Sequence, residues 1–487
     1  MSNEVLMNVT PQETRVAQLE HGVLQEVSIE RTRRRGLVGS IFKGKVCRVL
    51  PGMEAAFVDI GLDKAAFLHA SDVIPTMLEE EAPVERPRSI SSLLQQGQEI
   101  LVQVVKDPLG TKGARLTTNI TIPSRYLVLM PRGSNIGIST RIEDAAERDR
   151  LRQAVTALRG DQEFGFILRT AAEGVAMDEL QQDVEFLQRV WNKVRERDAS
   201  AKAGACIYAD LPLVKRTLRD MVGSGCERVL IDSRETFLAL QEFAEAYVPE
   251  MVERLTLYTG ERPVFDLYGV EDEILRALDR KVVLKSGGYL IFDQTESMTT
   301  IDVNTGGFVG SRNLEETIFK TNLEAAQAIA RQLRLRNLGG IIIIDFIDMV
   351  ESDHRRQVLR ALEKALEKDH AKCVVCDVSP LGLVEMTRKR TRESLEHVLC
   401  EPCSNCQGRG YVKTAETVCY ELFREILREA RQYDARELLV LASQDVVDLL
   451  LDEESSSLAE LQQFINIPIK YQVEAQYGQE QFDVVPV

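Results

Sequence analysis

Ser297-Met-Thr-Thr-Ile-Asp302-Val-Asn304-Thr-Gly306-Gly307 and Gly339-Gly340-Ile-Ile-Ile-Ile-Asp345-Phe-Ile-Asp348 are apolar runs that each deliver a carboxylate at or near their end. Between them, Asn313 to Arg336 carries the helical apolar period through Leu314, Ile318, Leu323, Ile329, Leu333 and Leu335, and stops at the glycine pair. The spacing predicts a strand-helix-strand unit. In an extended strand Asp302 and Asn304 share one face while Ile301 and Val303 enter the core on the other. The unbroken run Ile341 to Ile344 predicts a strand buried on both faces. Side by side, the two strands place Asp302 and Asp345 at one pocket, where two carboxylates and the Asn304 amide oxygen suit Mg²⁺ or Mn²⁺. Such an ion polarises a phosphodiester and activates water. The plainer reading is two surface acids at strand ends. Asp348 is either a third ligand or a helix cap.

Downstream, Cys403-Ser-Asn-Cys406 followed by Gln-Gly408-Arg-Gly410 has thiolate spacing suited to Zn²⁺, with glycines for the tight turn. Tetrahedral zinc wants four ligands, and this knuckle supplies two. Cys373 and Cys376 lie in an apparent strand, where residues three apart face opposite sides. The same Cys403 and Cys406 pair from a second chain is the better solution, with Cys400 as a spare, and it implies a zinc-linked homodimer. The nine cysteines are unevenly clustered, and the N-terminus lacks a basic region followed by an apolar one. A secretory signal is therefore not expected, and reduced thiols in the cytoplasm are.

Upstream, Gly36 to about Ser124 is a series of short glycine-punctuated strands, the texture of a small closed barrel. Lys43-Gly-Lys-Val46, Phe57-Val-Asp-Ile-Gly61, Phe67-Leu-His69 and Lys112-Gly-Ala-Arg-Leu-Thr117 resemble an S1 domain, an OB-type RNA-binding barrel. Phe57 and Phe67 would offer ring faces to bases, or else fill the barrel core, while Lys106 or Lys112 meets phosphates. Residues 75–98, with three prolines and Glu79-Glu80-Glu81, read as a loop insertion. From 125 to 214 the pattern is mixed, and Arg169-Thr170 at a strand end makes a candidate anion site. Residues 1–35 look like strands that need a later partner, and the α/β segment near 213–280 is the natural one.

The chain has 487 residues, 44% hydrophobic and 28% charged, enough for several domains, on the order of three to five. No apolar run is long enough to span a bilayer. Its formal net charge of −16 argues against coating nucleic acid through a general positive field. A polyanion would have to use local patches, such as Arg31 to Arg35 or Arg388 to Arg392, or bound cations.

Together these motifs resemble the ribonuclease E/G family. The resemblance also rests on Tyr126-Leu-Val128-Leu-Met-Pro131, Ile167-Leu-Arg169-Thr170, Ile343-Ile-Asp345-Phe-Ile-Asp348-Met and Leu383-Val-Glu-Met-Thr-Arg388. It implies an endoribonuclease that cuts single-stranded, usually AU-rich RNA, not DNA, in rRNA maturation and mRNA processing or decay. It implies Mg²⁺ (or Mn²⁺) at Asp302 and Asp345 with Asn304 assisting, a structural Zn²⁺, and a preference for a 5′ monophosphate. The residues matching the 5′ sensor are Arg169, Thr170 and the backbone near Val128. A further basic position falls on Lys372, where an Arg is expected, and Ser124 stands where a Gly is. The implied fold is multidomain α/β and α+β. An RNase H-like subdomain (1–35 and 215–280) holds an inserted S1 barrel (36–124) and 5′-sensor region (125–214), followed by a DNase I-like catalytic subdomain (281–399), a zinc link (400–414) and a small C-terminal domain (415–487). The competing readings are a non-catalytic S1-domain RNA-binding or scaffold protein, and a zinc hydrolase centred on Cys403 and Cys406.

Overall fold

The computed structural model describes residues 3–34, 36–74, 89–108, 113–160, 162, 164–220, 225–307 and 314–487. The chain divides into two compact units, Met1–Val398 and Leu399–Val487.

In the first unit the N-terminal strands find the partner that their isolation required. Asn3–Val9 and Glu13–Glu20 pair antiparallel, and Asn3–Val9 lies parallel to Cys226–Ile231. Val23–Arg31 and Leu255–Leu257 complete a five-stranded sheet. His21 and Gly22 both take positive φ, 53° and 76°, as the two central residues of a tight hairpin turn with the hand of the strand twist.

The glycine-punctuated segment closes on itself. Ile41–Leu50 pairs with Ala55–Asp59 on one side and with Glu99–Lys106 on the other, so the sheet has a barrel's closure rather than two open edges. Val58, Leu68, Val102 and Leu116 fill its interior. Gly44 lets the strand approach them, since a Cβ there would lie 2.5 Å from Val58 Cγ1. Cys206–Tyr208 joins this sheet through Ile41 and Phe42, although its position groups it with residues 125–214. Three residues carry too little periodicity to reveal a partner. Of the insertion, residues 75–88 lie outside the described residues.

A four-stranded sheet ordered Ile136–Ile138, Gly165–Leu168, Leu127–Met130 and Ile122–Pro123 carries the helices Ala145–Arg159 and Met177–Ser200. Leu127, Leu129, Phe166 and Leu168 bury against Leu151, Val155, Leu180 and Leu187.

The second half of this unit is a six-stranded sheet ordered Lys281–Val283, Tyr289–Gln294, Met298–Asn304, Gly340–Asp345, Leu383–Arg388 and Cys373–Val378. Helix Leu314–Leu335 connects the parallel strands Met298–Asn304 and Gly340–Asp345, and helix Ser352–Leu366 follows. The side chains of both helices pack with Ile301, Val303, Ile342 and Ile344. The isoleucine run is therefore buried on one face only, contrary to its unbroken pattern: Ile341 is 47% exposed and Ile343 half-buried. Because both helices lie on one side, Thr300, Asp302, Ile343 and Asp345 occupy a face left at least partly open. Asp369 and Arg388, both nearly fully buried, form an ion pair at 2.7 Å, and Arg388 also donates to Leu338 O at 2.8 Å.

Other members of the basic run 388–392 are likewise held within the protein. Arg390 donates to Gly339 O, and Arg392 to Ser28 and Glu26. In the other basic run Arg31 pairs with Glu13, and Arg35 lies outside the described residues.

The second unit packs helices Ala415–Gln432, Gln444–Leu451 and Ser455–Ile465 on the strands Ile469–Val473, Leu438–Ala442 and Phe482–Pro486. Leu422, Ile426, Val440, Val446 and Leu450 form its core. Among the described residues, no helix is long and apolar enough to cross a membrane.

Candidate active site

Strand alternation and register bring the two acids together. Asp302 and Asp345 are Cα register partners on neighbouring parallel strands, and both are exposed. Asn304, two residues along the same face, donates from Nδ2 to Asp302 Oδ2 at 2.8 Å. Burial, then the charges of Asp302 and Asp348, hold the Asp345 carboxyl above its ordinary value. Among the described residues no basic side chain forms an ion pair with any of these three acids. Like charges facing one another without a protein cation are a donor set that fits a hard divalent ion. No group of three or more His, Cys, Asp or Glu side chains that could hold a metal occurs among the described residues. The candidate donors are thus two carboxylates and an amide, the open arrangement that Mg²⁺ accepts with its waters.

Asp348 is not a helix cap, because Glu351 stands at the N-cap of Ser352–Leu366. The segment carrying Asp348 is fixed by residues the sequence reading missed. Asn322, fully buried on helix Leu314–Leu335, donates to Ile347 O at 2.8 Å and accepts from Ile347 N at 3.1 Å. Glu315 accepts from Val350 N at 3.1 Å and Glu351 N at 3.3 Å, and lies 3.2 Å from His354 Nδ1. A polar Asn within an apolar helical stripe was the available signal for Asn322.

The candidate anion site is built on the four-stranded sheet. Arg169 donates from Nη1 to Ser124 O at 2.8 Å and from Nη2 to Asp220 Oδ1 at 2.9 Å. Thr170 Oγ1 is 3.0 Å from Ser139 Oγ, and Val128 pairs with Ile167 on the adjacent strand. Ser124 itself donates to Asp183 Oδ2 at 2.6 Å, which also accepts from Tyr126 N and Leu127 N. Burial raises the Asp183 carboxyl. Lys372 is exposed, in the segment where Arg141 donates to Asp369 O at 3.0 Å. Arg148 donates to Ser139 O at 2.8 Å and Ile142 O at 2.9 Å. Arg141 and Arg148 thus tie the Ser139 turn, which touches Thr170, to its surroundings. Neither has a spacing that singles it out.

On the barrel, Phe57 and Phe67 are register partners with ring centroids 6.1 Å apart at 71°. Neither belongs to the buried interior, where Val58 and Leu68 sit instead. Arg48, Phe57, Phe67, Arg115 and Lys106 follow one another as partners across successive strands. Arg48 and Lys106 are exposed, whereas Arg115 bonds Asp72 at 2.8 Å. A row of cations about two aromatic rings has the composition of surfaces on which single-stranded nucleic acid stacks. Arg48 was not legible as part of it, because a register shift separates it from Lys45. Lys112 lies outside the described residues.

In the second unit Cys403 is exposed and Cys406 half-buried. Gly410 N donates to Cys406 Sγ at 3.4 Å, and this bond, with one from Gly408 N, holds the Cys406 thiol below its usual range. Two thiols turned by glycines at φ 84° and 81° would make up half of a tetrahedral zinc set. Cys400 is exposed. Cys373 is half-buried and Cys376 exposed, and burial pushes the Cys373 thiol up to about 11, unfavourable for a thiolate ligand.

Comparisons with known proteins agree across the chain. A family model described as the ribonuclease E/G family matches residues 121–391, an S1 RNA binding domain model matches 37–118, and an RNase E/G thioredoxin-like domain model matches 402–487. The chain is 60% identical to a ribonuclease G of Escherichia coli (strain K12), covering 100% of each. It is 56% identical to one of Haemophilus influenzae, covering 99% of each. To a ribonuclease E of Haemophilus influenzae it is 35% identical, over 96% of this chain and 50% of that one.

Proposed function

The chain belongs to the ribonuclease E/G family, and from that premise we propose that it is an endoribonuclease cutting single-stranded RNA at the Asp302 and Asp345 site, with Mg²⁺ or Mn²⁺ as its ion. The single observation carrying this reading is the register pairing of the two acids, with Asp345 raised by burial and then by the charges of Asp302 and Asp348.

Asp302 and Asp345 would hold the ion, and Asn304, donating from Nδ2 to Asp302 Oδ2 at 2.8 Å, fixes the position of the Asp302 carboxylate. When bound, the cation supplies Lewis-acid polarisation of the phosphodiester and a water of lowered pKa. The residues of the chain position the strand for in-line attack of water at phosphorus. The new bond is O–P, the P–O3′ bond breaks, and the products carry a 5′ phosphate and a 3′ hydroxyl. Phe57 and Phe67 stack bases, and Lys106 and Lys112 meet phosphates, with a preference for AU-rich strands. Arg169, Thr170, the Val128 backbone and Lys372 receive a 5′ monophosphate, whose charge competes with Asp220 for the Arg169 fork.

We assign the five-stranded sheet to an RNase H-like subdomain and the six-stranded sheet to a DNase I-like catalytic one. Cys403 and Cys406 share a structural zinc with the same pair of a second chain, making a homodimer. The cellular role that fits is rRNA maturation and mRNA processing or decay in the cytoplasm. The test is to incubate purified protein with a 5′-monophosphorylated single strand in Mg²⁺ and in EDTA, then map the ends. The reading requires Mg²⁺-dependent internal cuts with 5′-phosphate and 3′-hydroxyl ends. RNA bound but never cut would make the protein a binder only.

A further inference from the structure

The open face of the six-stranded sheet carries more than the two acids. Lys281 is the register partner of Ile291, Ile291 of Asp302, and Asp302 of Asp345, so the four lie in one row across neighbouring strands. Directly opposed residues share a face, which puts Lys281 on the side where Asp302 and Asp345 stand. Tyr289, the partner of Asn304, sits in the next row. The Lys281 ammonium lies 4.1 Å from the centre of the Tyr289 ring, a cation–π contact that gives a flexible side chain a fixed place. The ring lies against the turn after Asn304, where a Cβ on Gly306 would stand 3.4 Å from Tyr289 Cδ1.

Charge on this face is uneven. Among the described residues, Lys281 is the one cation at the strand positions of the face, against the acids Asp293, Asp302, Asp345 and Glu385. Neighbouring Arg280 is neutralised by Asp293 at 2.6 Å. Lys281 is exposed and forms no ion pair among the described residues. An endonuclease holds a strand that continues on both sides of the scissile phosphate, and the neighbouring phosphates need cations of their own. Toward Leu383–Arg388 the face presents Glu385, which repels them. Toward Lys281–Val283 it ends on an unneutralised ammonium beside an aromatic ring. The Lys281 backbone stands about 10 Å from that of Asp302, two strand spacings, and its long stem shortens this to the reach of an adjacent nucleotide. We propose that Lys281, held on the Tyr289 ring, binds a backbone phosphate next to the scissile one and so fixes the direction in which RNA crosses the acid pair. The inference rests on the endoribonuclease reading above. The ligand is a phosphodiester of the strand, because an ammonium is a compact point charge that takes phosphate oxygens and reads no base.

Removing the charge from either partner tests this. In 5′-monophosphorylated oligoribonucleotides with one defined cut, each phosphate flanking the cut is replaced in turn by a neutral methylphosphonate. The preceding ribose carries a 2′-O-methyl group in charged and neutral versions alike. kcat/KM is measured in Mg²⁺ with wild type, Lys281→Met and Lys281→Arg. For wild type, neutralising one flanking phosphate lowers kcat/KM about three- to tenfold, between the worth of an exposed ion pair and that of a hydrogen bond to a charged group. Lys281→Met loses the same factor on the charged strand and nothing further when that phosphate is neutral, while its penalties elsewhere match those of wild type. Its log kcat/KM also falls less steeply with log salt, by about 0.7, the share of one phosphate contact on a single strand. Lys281→Arg, which keeps the charge, retains the sensitivity to that phosphate. Lys281→Gln takes the place of Lys281→Met should the latter fail to fold. The proposal is overturned if Lys281→Met cuts every strand as wild type does. A loss that leaves the methylphosphonate penalties unchanged at all positions also overturns it, since Lys281 then only supports the sheet edge. Failure of wild type to cut the unmodified strand would instead overturn the endoribonuclease reading.

Discussion

Asp302 and Asp345 face each other as register partners on parallel strands, on the sheet face that the helices leave open. That pairing repels itself. Burial, then the charges of Asp302 and Asp348, raise the Asp345 carboxyl.

A pH dependence follows from the raised Asp345 carboxyl. A group whose folded pKa is raised favours its protonated fold, so its contribution to stability is present at low pH and is lost as pH rises through the folded value. A divalent ion relieves the repulsion only where the acids are charged. Thermal stabilisation by Mg²⁺ therefore grows from the ordinary carboxylate range toward neutral pH, and Asp345→Asn flattens that growth. Melting curves with and without Mg²⁺ across this range check it.

Arg169 is held between Ser124 O and Asp220. Arg169→Gln keeps length and polarity but removes charge and the bidentate fork. It should lower kcat/KM about tenfold or more on 5′-monophosphorylated RNA, the scale of a charge-assisted bond, while 5′-hydroxyl RNA is cut at the wild-type rate. Competition between the two substrates in one tube measures the ratio.

Cys403 and Cys406 provide two thiols where zinc needs four donors. Chelation, or Cys406→Ser, should therefore reduce the particle to a single chain. Light scattering with zinc determination checks this, with two chains per zinc expected before treatment.

Arg388 and Asp369 form a buried pair, and Arg388 also holds Leu338 O. Arg388→Ala leaves Asp369 uncompensated and should cost about 3–5 kcal/mol. Arg390→Ala removes one bond from an exposed guanidinium to Gly339 O and should cost about 0.5–1.5 kcal/mol. Denaturant titrations of the two variants separate a structural basic run from a solvated one.

The sequence made strand parity readable, which is why Asp302, Asn304 and the alternation of Ile301 and Val303 could be placed. It misled at Ile341, because an unbroken isoleucine run describes chemistry and not which side the following helices take. The partners of Arg48, Asn322 and Asp183 were beyond reach for another reason, even where, as at Asn322, a polar residue in an apolar stripe marked the position. Each acts through a partner distant in sequence, Asn322 on Ile347 and Asp183 on Ser124 for example, and single-chain periodicity carries no record of such pairs. The turn after Cys406 was legible because its glycines are local.

The most direct test of the central claim is the single-turnover cleavage rate of Asp302→Asn and Asp345→Asn on a 5′-monophosphorylated single strand in saturating Mg²⁺, with RNA affinity measured alongside. Each variant should lose at least about a thousandfold in rate, several kcal/mol of transition-state stabilisation, while affinity stays near wild type. Cleavage by either variant at the wild-type rate would contradict the account.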